Sequence, residues 1–231
     1  SISIVDKIDT LVGFFVIDEK PTSSKDPFAL RRAAIGLLRI IIENKLSFKL
    51  RDLISYSIRL YQEQGVEIKN EKTEQQVLEF IKERMRNVLK LKNIKTDIIE
   101  ASISSHAGDN FLDLYAKTIL IHKYKNKGIG LNAIGSYKRA SNILDKAGKG
   151  IIGRPDVVLF RKDEERVLHE KINEIRKAFT VKDDNKDYEN LLIKLSDTKE
   201  STDNFFDNVV VNDENQYIKN NRLELLKMFC N

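Results

Sequence analysis

The sequence has no tryptophan, one cysteine, three prolines and ten glycines in 231 residues. A lone thiol, Cys230, excludes an internal disulfide and fits a reducing compartment. Scarce proline and glycine leave long stretches in which regular structure can run uninterrupted. No apolar run approaches the roughly 20 residues of a membrane span. The opening Ser1-Ile2-Ser3-Ile4-Val5 resembles neither a signal nor a transit peptide, which fits a cytoplasmic protein. It has no initiator Met, and residue 2 already belongs to an amphipathic pattern, so the chain is expected to be part of a longer polypeptide.

Catalytic signatures are also missing. The sequence contains neither a Walker A segment nor G-x-S-x-G. His106, His122 and His169 are widely spaced and have no Cys, His or Asp partners at ligand spacing. No catalytic residue and no metal ligand is therefore assigned. Gly148-Lys-Gly-Ile-Ile-Gly153 matches G-x-G-x-x-G, but a dinucleotide site needs a strand before it and a helix after it. Here a helical pattern precedes and Arg154-Pro155 follows, so the match is read as a flexible basic loop. Asp183-Asp184 is read as solvated charge in a polar linker.

What remains is a globular composition, 41% hydrophobic and 32% charged, with apolar periods near 3.6 residues. The net charge is +5, unevenly spread. Lys117 to Arg154 holds nine Lys/Arg against one acid, Asp145, whereas Asp183 to Asn231 holds eleven acids against six Lys/Arg. A basic middle beside an acidic tail suggests a surface that faces a polyanion, although a Lys-rich helical surface can also be merely solvated.

Helices are predicted at 2–17, 28–43, 50–64, 73–91, 96–104, 110–124, 131–147, 162–179, 186–211 and 214–229. Asp26-Pro27 reads as an N-cap followed by proline at the first helical position. The helix it opens is apolar almost all round, apart from Arg31, Arg32 and Arg39, and is expected to be central. Gly65 reads as a helix stop, and the polar stretch Glu67 to Lys72 as a domain boundary. In the 131–147 helix, Ala133, Tyr137, Ala140, Leu144 and Ala147 form one apolar stripe, expected to be buried. Arg139, Asn142 and Lys146 fall opposite it, and Lys138 on its flank. Val209-Val210-Val211 is expected to be helical or extended at a helix end.

One long segment is specific. Asp6-Lys7-Ile8-Asp9-Thr10-Leu11-Val12-Gly13, followed by Lys20-Pro21-Thr22-Ser23-Ser24-Lys25-Asp26-Pro27-Phe28-Ala29-Leu30-Arg31-Arg32-Ala33-Ala34, closely resembles the β subunit of bacterial two-subunit glycyl-tRNA synthetases. That family reads D-K-L-D-T-L-V-G and then K-P-x-x-S/D-K-D-P-F-A-L-R-R-A-A. The resemblance continues through Lys138-Arg139-Ala140-Ser141-Asn142-Ile143-Leu144 and Phe205-Phe206-Asp207-Asn208-Val209-Val210-Val211. It ends at Asn221-Arg222-Leu223-Glu224-Leu225-Leu226.

The resemblance implies an all-α multi-helix protein. Residues 1–68 would end an HD-like helical domain, and residues 69–231 would form a DALR-type anticodon-binding domain. The D-A-L-R tetrapeptide itself is replaced, Tyr217-Ile218-Lys219 standing where A-L-R would be. Asp6 matches the last acidic position of the HD motif, but a structural capping role is expected for it. The implied function is tRNA recognition for glycine–tRNA ligase, with glycine tRNA and the α subunit as partners in an α2β2 heterotetramer. ATP and Mg would be bound by the partner subunit, so this chain alone needs no cofactor. Lys138, Arg139, Asn142, Lys146 and Arg222 are the candidate tRNA-binding residues. Two rivals are a fragment of an HD-type phosphohydrolase and a helical interaction module that does not bind nucleic acid.

Overall fold

A computed structural model of the chain describes residues 2–22, 25–106, 108–148, 150–151, 153–180 and 187–230, with backbone only for Phe179 and Thr180. Asp183-Asp184, and Lys149 and Ile152 of the glycine-rich segment, lie outside the described residues. The described residues form ten α-helices and no strand, so the all-α expectation holds. No helix among them is long and apolar enough to cross a membrane. Two compact units divide the chain at 122/123.

The first unit is built on α1 (Ile2–Val16), α2 (Leu30–Glu43), α3 (Leu50–Glu63), α4 (Thr73–Lys90), α5 (Thr96–Ser105) and α6 (Phe111–Tyr124), which runs across the division. α1 packs against α2, α3 and α4, and α4 against α2, α3 and α5. One continuous core runs from Ile4 through Leu37, Ile54 and Met85 to Leu114. α2 is central as expected, with Leu30, Ala34, Leu37, Leu38 and Ile41 buried and Arg32 and Arg39 outside. Its cap differs in detail. Asp26 accepts from the N–H groups of Leu30 and Arg31 at 2.8 and 3.1 Å, but Pro27 and Phe28 form a turn first. Ala29, left-handed at φ 55°, occupies the position next to the helix. α3 ends at a left-handed glycine, Gly65, as its sequence predicts.

The expected boundary at 68/69 is not where the chain divides. The polar stretch is stitched to the C-terminal end of α1. Lys69 N–H donates to Val16 O at 3.0 Å, and the Asn70 amide and Thr73 hydroxyl both donate to Phe15 O. Polar side chains here satisfy the helix-end carbonyls that α1 leaves over, inside one unit rather than between two. α4 and α5 therefore share the core of α1–α3.

The second unit is a bundle of α7 (Gly128–Ala147), α8 (Asp163–Thr180), α9 (Tyr188–Asn208) and α10 (Gln216–Cys230), with a single 3₁₀ turn at Val157–Leu159. α9 packs against both α7 and α8, and α10 lies across the same two helices. Ala140, Phe160, Leu168, Ile172, Phe205, Val209, Leu225 and Leu226 form its core. Val209 is extended at the end of α9.

Candidate nucleic-acid interface

α7 begins where α6 ends, and Gly130 makes that turn possible: a Cβ there would sit 2.1 Å from the Tyr124 carbonyl oxygen. It stops at Gly148, φ 85°. The glycine-rich match thus lies between a helix and a 3₁₀ turn, the wrong context for a dinucleotide site. Gly153 is favoured for another reason, its φ of 148°, a backbone conformation that L side chains rarely adopt.

The buried face of α7 is centred on Ser136 and Ala140, with Ile143 and Leu144 half-buried. Two stripe residues are not inside. Tyr137 is 49% exposed, and Ala147, in the last turn, is exposed as well. Small residues at 136 and 140 suit a close helix crossing, and the buried Phe205 of α9 fills the same core. On an ideal helix Lys138 and Asn142 each lie about 160° from Ala140, on either side of the outward direction, and Arg139 and Lys146 about 100–120°. Lys138, Asn142 and Lys146 are exposed, and their side chains make no hydrogen bond or ion pair to other described residues.

Arg139 is exposed but committed. Its guanidinium pairs with Asp203 at 3.2 Å and Asp207 at 3.3 Å, both on α9, and stacks over Phe206 at 4.6 Å. Asp203 also pairs with Lys199. The expectation that Arg139 stands clear of the bundle is corrected by this contact. A phosphate approaching it would meet two carboxylates as well.

Arg222 is corrected more strongly. Its side chain is 5% exposed and lies inside the bundle. Its Nε donates to Glu165 at 2.9 Å, and its Nη1 to Asp213 at 2.7 Å and to the Val210 carbonyl at 2.8 Å. Glu165, fully buried, uses its other oxygen to accept from the N–H groups of Arg161 and Lys162, both at 2.8 Å. The neighbouring Asn221 holds Asp156 through both backbone groups, at 2.6 and 3.0 Å. Asn221-Arg222 thus ties α8, α10 and two connecting segments together. RNA cannot reach Arg222 without opening the bundle. The Asn215 N–H, followed by Arg222, holds the Asp213 carboxyl below its ordinary range.

The rest of the basic stretch divides between the two units. Lys117 belongs to the first unit and pairs with Asp113 at 2.8 Å. Lys123 pairs with Glu189 at 3.2 Å; hydrogen bonding to Tyr124 first, and then between the two, raises the lysine pKa and lowers that of the glutamate. Lys123 and Lys127 both pack over the Tyr124 ring, and the Tyr124 hydroxyl donates to Glu189. At the start of α10, Tyr217 is 78% exposed and Ile218 4%, so the residue in the leucine position of the replaced tetrapeptide keeps its place in the core.

Asp6 is exposed one turn inside α1, with its carbonyl accepting from the Thr10 hydroxyl at 2.8 Å. That placement corrects the capping role expected of it. Among the described residues no three His, Cys, Asp or Glu side chains are grouped to hold a metal ion.

Sequence reasoning missed the partners of the two arginines. Asp203 and Asp207 are four residues apart and share a face of α9, which is legible. That this face meets Arg139 depends on how the helices pack.

Comparison with known proteins places the two units in one family. Residues 1–104 match the family model of the glycyl-tRNA synthetase beta subunit, and residues 134–231 that of the DALR anticodon binding domain. The glycine–tRNA ligase beta subunit of Rickettsia africae is 37% identical over 229 residues, covering 99% of this chain and 33% of that protein. Its counterpart in Alteromonas mediterranea is 34% identical over 230 residues, with 99% and 33% covered. That of Shewanella baltica is 35% identical over 226 residues, with 98% and 32% covered. The chain spans about a third of the length of these relatives. With both family models in sequence order and this identity along nearly its whole length, the chain belongs to the glycyl-tRNA synthetase beta-subunit family and ends in a DALR anticodon binding domain.

Proposed function

We propose that this chain recognises the anticodon arm of glycine tRNA for a cytoplasmic glycine–tRNA ligase, while adenylation and acyl transfer take place on an α subunit. In this reading ATP and Mg belong to that partner, and the working assembly is an α2β2 heterotetramer. The observation that carries the proposal is the outward face of α7 within the anticodon-binding domain. There Lys138, Asn142 and Lys146 are exposed and uncommitted, while the neighbouring cations Arg139 and Arg222 are held by carboxylates. Lysines at such a face supply phosphate contacts, and an asparagine can hydrogen-bond to the edge of an unstacked base.

The test is binding of glycine tRNA and of an anticodon-swapped tRNA to the full chain over a salt series. Lys138→Ala and Lys146→Ala should weaken both tRNAs alike and flatten the log–log salt slope by roughly 0.7–0.9 each. Asn142→Ala should cost more against the cognate tRNA. Binding by the folded parent with a slope near zero would refute phosphate recognition. Three variants indistinguishable from the parent would remove the site from this face of α7.

A further inference from the structure

α7 carries a glycine that its own fold does not require. Gly135 lies in the interior of the helix, exposed and without a left-handed backbone. A Cβ added there would meet nothing within 4 Å among the described residues, unlike one at Gly130. Glycine inside a helix lowers stability relative to alanine, because the unfolded chain has more freedom to lose and the turn stays open to water. Where neither backbone nor packing needs it, such a residue leaves a bare stretch of helix that a ligand can approach closely.

The residues around this opening define what fits it. At i−4, i+3 and i+4, Leu131, Lys138 and Arg139 are surface neighbours of Gly135. Asn142 lies on nearly the same line, about 10 Å further along the axis. Lys138 and Asn142 are exposed, and helical side chains lean toward the N-terminus, which carries both toward the bare turn. Leu131 is 56% exposed and sets an apolar side chain at the other end of the opening. On the flank of Arg139, Asp203 and Asp207 already hold the guanidinium, so a phosphate is better accepted at Lys138.

We propose that Gly135 opens α7 to one unstacked nucleotide of the bound RNA, with its phosphate at Lys138, its base on the bare turn against Leu131, and the base edge toward the Asn142 amide. An apolar side chain, a cation and an amide around a gap match the face, the phosphate and the edge of a nucleotide. The inference rests on the tRNA reading above and adds to it the two residues that make room for the base, Gly135 and Leu131.

The experiment follows the full chain by thermal unfolding and by titration with glycine tRNA over a salt series. Gly135→Ala should raise the unfolding midpoint by about 1–4 °C, since the added methyl meets open space and favours helix. The same methyl should weaken tRNA binding roughly tenfold at an unchanged salt slope, because no phosphate contact is lost. Gly135→Gln, also a good helix former, should fold as well and bind more weakly still. Leu131→Ala should leave unfolding nearly unchanged and weaken binding at constant slope. A merely structural glycine would move stability and binding in the same direction, so the opposite signs identify the close approach. Gly135→Ala and Gly135→Gln binding like the parent would overturn it, while a flattened slope in Lys138→Ala would keep the tRNA reading intact. A lowered midpoint for Gly135→Ala would show that the fold needs the glycine and would overturn it too. A folded parent that binds no tRNA would overturn both.

Discussion

At the scale of single residues, the decisive feature of the second unit is Arg222. It is buried against Glu165, whose side chain has no exposure, and Asp213. Removing one partner of such a pair strands a charge in a place water cannot reach. Arg222→Met should cost about 3–5 kcal/mol in denaturant unfolding. Adding Glu165→Leu should recover part of that loss, because the stranded carboxylate is then gone too. If Arg222→Met instead left stability unchanged and lowered tRNA affinity, the arginine would be a surface ligand after all. Asp213 gives the network a pH dependence. Its folded pKa is depressed below the ordinary value of 3.8, so its contribution is present above that value and lost as pH falls through the lower folded one. The unfolding midpoint of Asp213→Asn should therefore fall less than that of the parent below about pH 4. Equal acid sensitivity in both proteins would assign the effect to other groups.

At the scale of elements, α2 tests how the first unit is held together. Asp26 caps it from outside the last turn-forming residues, and Asp26→Ala should cost about 0.5–2 kcal/mol. Leu37 and Leu38 have no exposure, so Leu37→Ala should cost about 2–5 kcal/mol, read from urea midpoints. A loss at Leu37 below about 0.5 kcal/mol would mean that α2 is not core. The contrast with α7 is physical. α2 presents bulky residues at 30, 37, 38 and 41 around a buried Ala34, and any neighbour must bury them. α7 mixes small and large residues on its inner side, so several rotations about its axis would hide a comparable apolar area. Its neighbours α9 and α10 decide among these, and they leave Tyr137 half in solvent.

At the scale of the whole chain, two family models meet two compact units, and neither unit brings its histidines and acids together into a metal-binding group among the described residues. Under the proposed division of labour, the purified chain without an α subunit should give no glycine-dependent pyrophosphate exchange. Exchange that follows the chain through purification would place adenylation here and end that proposal.

By itself, the sequence determined that the chain is helical, where most helices begin and end, and which family it belongs to. These follow from local rules: a 3.6-residue period, a capping Asp26, a left-handed Gly65 and long motif runs. The division of the chain and the fate of its arginines were decided only by tertiary structure. Residues 67–72 look like a linker, yet their backbone and side chains satisfy the end of α1. Arg139 and Arg222 look like ligands for RNA, yet each finds carboxylates outside its own helix, on α9, at the start of α8 and in the segment before α10. A charged side chain reads the same in a sequence whether its counter-ion is a phosphate or a partner 57 residues away, and packing alone makes the choice.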